Sequence, residues 1–170
     1  GWQIVSDTIN SINIKIENKG VLLKDWKGLG FYRGITTGFN DAYIIDEKVK
    51  HQILLEEPSS NSVIKKVLRG RNIKRFKYEY DNINLLFIPW HFPLHNDETI
   101  TSKSDLAEKA FIDKHPKLYN HLLSYKDELS NRNKAETGIR YEWYALQRYG
   151  ASYYNLFEKD KISASVLNSK

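Results

Sequence analysis

The stretch that decides the fold occupies residues 32–46 and reads YRGITTGFNDAYIID. Segments 31–36 and 42–45 are rich in β-branched and aromatic residues, which is typical of strands. Between them, residues 37–41 contain glycine, asparagine and aspartate, which tolerate the backbone of tight turns. The sequence therefore predicts a hairpin whose turn presents hydroxyl and amide groups. The lysine that a nucleotide-binding loop places after its second glycine is missing, and the turn leads into a strand instead of a helix.

Residues 7–18 precede this hairpin, and their isoleucines allow two interpretations. Positions 9, 12 and 16 share one helical face, whereas positions 12, 14 and 16 alternate as in a strand. Ser6 or Asp7 can cap a helix and Gly20 can end one. We therefore predict a helix here.

Downstream of the hairpin, the pattern mixes helices with strands. Asp46 can cap a helix that runs to about Glu56, and Gly70 can stop a second helix over residues 63–68. The continuously apolar residues 85–88 are typical of a buried central strand. The remaining predictions are a loop over 91–104, helices over 105–112 and 115–132, a short helix over 142–149 and a strand over 161–166. The fold class is α/β (mixed α+β), one domain with a twisted mixed sheet and flanking helices.

The composition is that of a globular domain, with 170 residues, 41% hydrophobic and 28% charged. Cysteine is absent, which excludes disulfides, cysteine zinc sites and thiol nucleophiles. We expect a cytoplasmic protein and no membrane partner, since no apolar run approaches the length that spans a bilayer. Methionine is also absent, so we expect the parent protein to be longer.

The charge is concentrated in one part of the chain. The net charge is +5, but residues 61–80 alone carry +6 and residues 41–60 carry −3. Two arginines flank Gly70, and their planar guanidinium groups can pair bidentately with phosphate or with guanine. The alternative is a solvated face whose positive charges are favourable at the end of a helix.

Candidate catalytic groups are sparse in the sequence. Asp7, Glu17 and Lys19 loosely match the carboxylate-and-lysine pattern of small magnesium-dependent nucleases, which is one alternative function. His91 and His95 have the spacing of metal ligands on a helix, but the intervening Pro93 argues against that helix. A second alternative is a protein-interaction module that uses the aromatic residues of segment 141–157. We predict no catalytic, cofactor-binding or metal-binding residue in this chain.

Five segments, taken in order, resemble one known family. Residues 32–46 and residues 67–76, VLRGRNIKRF, are similar to the two opening signatures of the TaqI-like C-terminal specificity domain. The spacing of His115-Pro116, His121-Leu122, Lys126, Leu129 and Arg132 resembles the family's long helix. Trp143-Tyr144-x-Leu146 and Lys161-Ile162 resemble its closing motifs. The resemblance covers about residues 20–165.

This resemblance implies that residues 1–170 are the DNA target recognition domain of an adenine-specific DNA methyltransferase. Such domains occur in type IIG restriction–modification enzymes and related phage-defence methyltransferases. The catalytic domain lies N-terminal to them, binds S-adenosylmethionine and carries an Asn-Pro-Pro-Tyr motif, which this sequence lacks. Residues 1–19 would then be a linker or a helix that leads in from that domain. The implied partners are double-stranded DNA and the methyltransferase domain of the same parent chain.

The residues expected to contact DNA lie in the two signatures and just before the second. We expect the lysines to bind phosphates and Arg69 and Arg71 to read bases, unless Arg71 is buried against a carboxylate such as Asp41 or Asp46. The expected contacts are Arg33, Thr36, Thr37, Asn40, Lys65, Lys66, Arg69, Arg71, Lys74 and Arg75.

Overall fold

The computed structural model describes residues 6–163. The chain divides into two units, with the boundary in the sequence between Arg33 and Gly34. The first unit contains helix α1, Asp7–Lys19, and a 3₁₀ turn at Leu23–Asp25. The Ser6 hydroxyl accepts a hydrogen bond from the Ile9 backbone N–H and so caps α1. The helix ends at Gly20, as predicted.

The second unit is built on a three-stranded antiparallel sheet. Its strands are β1 (Ile44–Asp46), β2 (Ile64–Lys66) and β5 (Ile83–Leu86), in the order β1–β5–β2. Leu85 lies opposite Ile44 on one side and Lys65 on the other. Strands β3 (Ile73–Lys74) and β4 (Lys77–Tyr78) form a separate antiparallel pair. The predicted central strand is confirmed, but it begins and ends two residues earlier than the predicted span 85–88.

The described residues of this unit also form five α-helices, and polar side chains cap several of them. Asp46 accepts a hydrogen bond from the Val49 N–H at the start of α3, as predicted, and Ser104 caps α4 in the same way. Buried Glu57 accepts the Lys117 N–H at the start of α5. The helices are α2 (Asn40–Tyr43), α3 (Glu47–Glu56), α4 (Asp105–Lys114), α5 (Pro116–Leu123) and α6 (Lys126–Asn131). The mixed α/β class is confirmed.

Arg132, directly after α6, joins the irregular C-terminal segment to the start of the unit. Its guanidinium donates hydrogen bonds to the backbone carbonyls of Thr37, Trp143 and Ala145 and to the hydroxyl of Tyr43. The Tyr43 hydroxyl in turn donates to the carbonyls of Tyr144, at 2.8 Å, and Ala145, at 2.9 Å. Burial raises the pKa of Tyr43, so this hydroxyl keeps its proton.

Several sequence predictions are wrong in type or extent. Residues 63–68 do not form a helix, because Ile64–Lys66 pair with β5 as an edge strand. Segment 31–36 is not a strand of a hairpin, since Thr36 instead bridges Arg148. Residues 142–149 form turns instead of a helix, and residues 124–125 interrupt the helix expected over 115–132. Residues 161–163 are not a strand, and the rest of the strand expected over 161–166 lies outside the described residues.

Within residues 6–163, no helix combines the length and the apolar character needed to cross a bilayer.

We predict that Arg132→Met lowers the free energy of unfolding by about 3 kcal/mol, measured by urea denaturation. The substitution removes the donor of the Trp143 carbonyl and one of the two donors of the Thr37 and Ala145 carbonyls. An unsatisfied buried group costs about 1–3 kcal/mol. Arg140→Met is the matched control. Its side chain is 59% exposed and its guanidinium pairs with Glu136, four residues earlier, so its loss should cost less than about 1 kcal/mol. Equal losses from both substitutions would contradict the role assigned to Arg132.

Candidate nucleic-acid interface

Residues 65–83, here called the basic arm, leave the sheet and return to it. They contain a 3₁₀ turn at Gly70–Asn72 and, beyond it, a short antiparallel ribbon. The Val67 N–H donates to the Ile83 carbonyl at 3.4 Å, and the Glu79 N–H donates to the Asn72 carbonyl at 2.9 Å. Beyond these bonds, β3 and β4 pair, and residues 75–76 form the tip. The arm carries seven basic and two acidic side chains, a net charge of +5 that equals the net charge of the whole chain.

The base of the arm is held by the side chain of Asn72, which is only 3% exposed. Its Oδ1 accepts the Arg69 N–H at 2.8 Å. Its hydrogen bond to Asp81, together with the nearby Arg71 guanidinium, holds the pKa of the Asp81 carboxyl below its ordinary value. Asp81 therefore remains charged at neutral pH and fixes the two sides of the arm together.

Arg71 does not have the buried partner that the sequence suggested. Its Nη2 lies 3.2 Å from Oδ2 of Asp81, and its side chain is 67% exposed. The expectation of a pair with Asp41 or Asp46 is therefore wrong. The guanidinium is tethered at one nitrogen by Asp81 and faces solvent, which leaves further donors for a ligand.

Lys65 and Lys66 lie on the edge strand β2, and both are exposed. They do not lie on the helix predicted over residues 63–68. Adjacent residues of a strand point to opposite faces, so the two side chains point away from each other. The ammonium of Lys66 lies 5.6 Å from the ring centroid of Tyr80, whose hydroxyl donates to the Ile83 carbonyl. This contact places the Lys66 charge beside the base of the arm.

The tip of the arm concentrates positive charge around one aromatic ring. Lys74 and Lys77 lie directly opposite each other, and both ammonium groups approach Glu79, at 4.0 and 3.1 Å. Arg75 and Phe76 form the turn between them, and the Arg75 guanidinium lies 5.2 Å from the centroid of the Phe76 ring. Neither Lys77 nor Phe76 was predicted from the sequence as a DNA contact. An aromatic residue flanked by basic residues, as in 74–77, is the signal that could have identified them.

Residues 36–40, here called the threonine turn, form a second group of predicted contacts. Thr36 exchanges two backbone hydrogen bonds of 2.9 Å with Arg148, and the Thr37 hydroxyl donates to Oδ1 of Asn40 at 2.8 Å. Gly38 has a φ of +81°, and a Cβ there would lie 2.7 Å from Cδ of Arg132. Residues 35–40 line an open depression of about 320 Å³. The Thr37 hydroxyl proton is therefore used within the turn and Thr37 is buried, whereas Asn40 is exposed.

The structure does not bring the two predicted groups to one end of the sheet. The basic arm emerges where β2 ends and β5 begins. The threonine turn precedes α2 and β1, and β1 starts opposite Leu85, near the end of β5. Arg33 is the last residue of the first unit and is exposed. Of the ten predicted contacts, the arm unites six: Lys65, Lys66, Arg69, Arg71, Lys74 and Arg75.

The geometry of α1 argues against the alternative nuclease site. Asp7 and Glu17 are ten residues apart in one helix, which separates them by about 15 Å along its axis. One metal ion cannot bind both carboxylates at that distance. Over residues 6–163, no three histidine, aspartate or glutamate side chains are grouped so that they could hold a metal ion.

Two buried histidine–carboxylate pairs serve the fold. His115 Nδ1 lies 3.1 Å from both the Ser60 hydroxyl and Oε1 of Glu57. A catalytic triad needs the serine and the acid on different ring nitrogens, so this cluster does not have that geometry. Glu142, fully buried, accepts the His91 N–H at 2.8 Å and the Ser104 N–H at 3.0 Å. It therefore ties the segment before α4 to the C-terminal segment.

The aromatic residues near the C-terminus mostly fill the core. Tyr141 and Tyr144 are fully buried, and Trp143 is 6% exposed. Trp90 stacks on Tyr141 with 4.6 Å between ring centroids, and the guanidinium of Arg140 lies 5.4 Å from the Trp90 ring. Three rings that the protein-interaction alternative would need are therefore occupied within the fold, whereas Tyr153, Tyr154 and Phe157 are half-buried or exposed.

Comparison with known proteins gives one relevant similarity. The chain matches no family model. It is 28% identical over 151 residues to the type II methyltransferase M.MjaIV of Methanocaldococcus jannaschii. The match covers 88% of this chain but 44% of that relative, so the chain spans less than half of the relative's length. The similarity supports a relationship to the type II methyltransferases.

Proposed function

We propose that this chain recognises a specific sequence in duplex DNA for an adenine-specific methyltransferase of a restriction–modification system. The observation that carries the proposal is the basic arm, which ends in a short two-stranded ribbon and concentrates a charge of +5 in residues 65–83. The similarity to a type II methyltransferase supplies the enzymatic context. Neither observation depends on the other.

The shape of the arm suits the major groove of DNA. That groove is about 12 Å wide and admits a two-stranded β-ribbon, where base edges present a distinct pattern of donors and acceptors for each base pair. The lysines of the arm would neutralise phosphates and fix its position along the duplex. Arg69 and Arg71, close to the base of the arm, would offer paired donors to guanine.

The chemistry of methyl transfer belongs to another part of the parent protein in this proposal. An N-terminal catalytic domain would bind S-adenosylmethionine and transfer its methyl group to adenine, while the present chain holds the DNA site against it. A type IIG parent would also contain an endonuclease, and the system would act in phage defence in the cytoplasm. The sequence of the parent gene upstream of Gly1 tests this part directly, since it should encode an Asn-Pro-Pro-Tyr motif.

We predict that the chain binds duplex DNA with a steep dependence on salt, because each neutralised phosphate contributes about −0.9 to the slope of log affinity against log salt concentration. The double variant Lys74→Gln/Lys77→Gln should reduce the magnitude of that slope by about 2. Both side chains are exposed and lie opposite each other, so the variant also relieves a repulsion and should not destabilise the fold. Fluorescence anisotropy with a 30-base-pair duplex at several salt concentrations measures the slope.

The matched control is Lys109→Gln/Lys114→Gln, which removes two exposed lysines of α4, outside the arm. This control should leave the slope close to that of the unchanged chain. If the two double variants change the slope equally, DNA binding has no preference for the arm and the proposal fails.

We predict that Arg71→Gln, in the full-length parent, costs about 1–3 kcal/mol of binding free energy on the recognised site and relaxes specificity at one base pair. Selection from a randomised-site library measures the specificity. Asp81→Asn is the matched comparison, since it removes the same ion pair but retains the guanidinium. It should keep the base preference, because an asparagine at this position can still hydrogen-bond Asn72 and so hold the two sides of the arm together. If both variants lose thermal stability equally and keep the same site preference, Arg71 serves only to hold the arm together.

A further inference from the structure

Phe76 is an exposed aromatic ring in a strained backbone conformation at the tip of the basic arm. It is 94% exposed, and its φ is +64°. The second central position of such a tight turn normally takes glycine or asparagine, because a positive φ brings the side chain close to the backbone. A bulky residue there is a conformational outlier that a fold tolerates for a reason.

The other non-glycine residues with positive φ among residues 6–163 have evident structural explanations. Asn82 belongs to a residue type that tolerates this conformation, and His91 is buried and hydrogen-bonded to Glu142. Phe76 neither suits its turn nor packs in the core. Since its ring contacts the neighbouring Arg75 guanidinium but is 94% exposed, it points to a use outside the chain.

The surroundings of the ring indicate what it would meet. Lys74 and Lys77 face each other across the ribbon directly behind the tip, and like charges in that position repel. Glu79 is shared between them and offsets this repulsion in part. The Arg75 guanidinium, 5.2 Å from the ring, adds a further positive charge. A partner with anionic groups on both sides of an apolar, stackable centre would bind the three basic side chains and the aromatic ring together.

Duplex DNA has that arrangement at every base step, with stacked bases between two phosphate backbones. We propose that Phe76 is a wedge that enters the base stack of duplex DNA, partly unstacking one step while the flanking cations bind phosphates. Proteins that insert apolar side chains between base pairs kink and unwind the duplex in this way. The inference rests on the proposed function, because it requires that the arm binds DNA.

A plasmid unwinding assay tests the wedge without knowledge of the recognised sequence. A relaxed closed-circular plasmid is incubated with the full chain and topoisomerase I, and the deproteinised topoisomers are then separated on a gel. Insertion of the ring unwinds the duplex, so the unchanged chain should leave negative supercoils. Phe76→Ala should bind about tenfold more weakly, retain the salt slope of the unchanged chain and leave the plasmid relaxed at saturating protein. Phe76→Trp, which keeps an aromatic ring, should still unwind it.

Two further variants separate insertion from effects on folding. Phe31→Ala removes another phenylalanine that is 72% exposed and should unwind the plasmid like the unchanged chain. Phe76→Gly relieves the strained φ, so it should melt no lower than the unchanged chain and yet lose unwinding. A lower melting temperature for Phe76→Gly would overturn the proposal, because Phe76 would then be a structural residue.

The outcomes also distinguish the wedge from the function on which it rests. If the unchanged chain binds the plasmid with a steep salt slope but does not unwind it, or if Phe76→Ala unwinds it equally, the wedge is overturned and the DNA-binding arm stands. If the unchanged chain does not bind the plasmid, both the wedge and the proposed function fail.

Discussion

The structure depends on the need of one buried strand for backbone partners on both sides. Asn84, Leu85 and Leu86 of β5 are at most 3% exposed, so an unpaired edge would leave backbone polar groups without water or protein partners. Strands β1 and β2 provide those partners in antiparallel register. Because β2 and β5 are antiparallel neighbours, the residues that connect them leave the sheet at one end and return to it at the same end. The basic arm is the direct consequence of this pairing.

A second constraint arises from the buried segment that follows α6. Residues 141–146 are all buried, yet they form turns instead of a helix or a long strand. Their carbonyl groups therefore need irregular donors, and Arg132 and Tyr43 provide those of Trp143, Tyr144 and Ala145. The same guanidinium also contacts the Thr37 carbonyl and excludes any side chain at position 38. The threonine turn is thus shaped by the packing of a distant segment, which is sufficient to explain its glycine.

Local signals in the sequence predicted what local interactions determine. The caps at Ser6 and Asp46 are hydrogen bonds between near neighbours, and both helices begin where the sequence indicates. Residues 63–68 fail as a helix because the deciding interaction is their pairing with β5, about twenty residues away. In the same way, Thr36 pairs with Arg148 across more than one hundred residues, a contact that no local pattern contains.

In the candidate site, too, the sequence predicted what depends on composition and missed what depends on the fold. The excess of basic residues in the arm is a property of the sequence, and it drew attention to six residues that the structure unites. The opposed faces of Lys65 and Lys66, the tether between Arg71 and Asp81 and the exposed ring of Phe76 are properties of the fold. They become visible only when the register of the ribbon is known, because register decides which side chains share a face.

The distribution of charge explains how such an arm would act before any specific contact forms. Outside residues 65–83 the positive and negative charges of the chain balance, so the net charge of +5 resides in the arm. Electrostatic attraction at an ionic strength of about 0.1 M extends roughly 10 Å, and it therefore acts mainly between an approaching polyanion and the arm itself. This attraction orients the molecule with the arm toward the DNA without reading its sequence. Selection among sequences then falls to short-range groups on the same ribbon, and the rigid hydrogen bonds of Asn72 and Asp81 at its base keep those groups in a fixed arrangement.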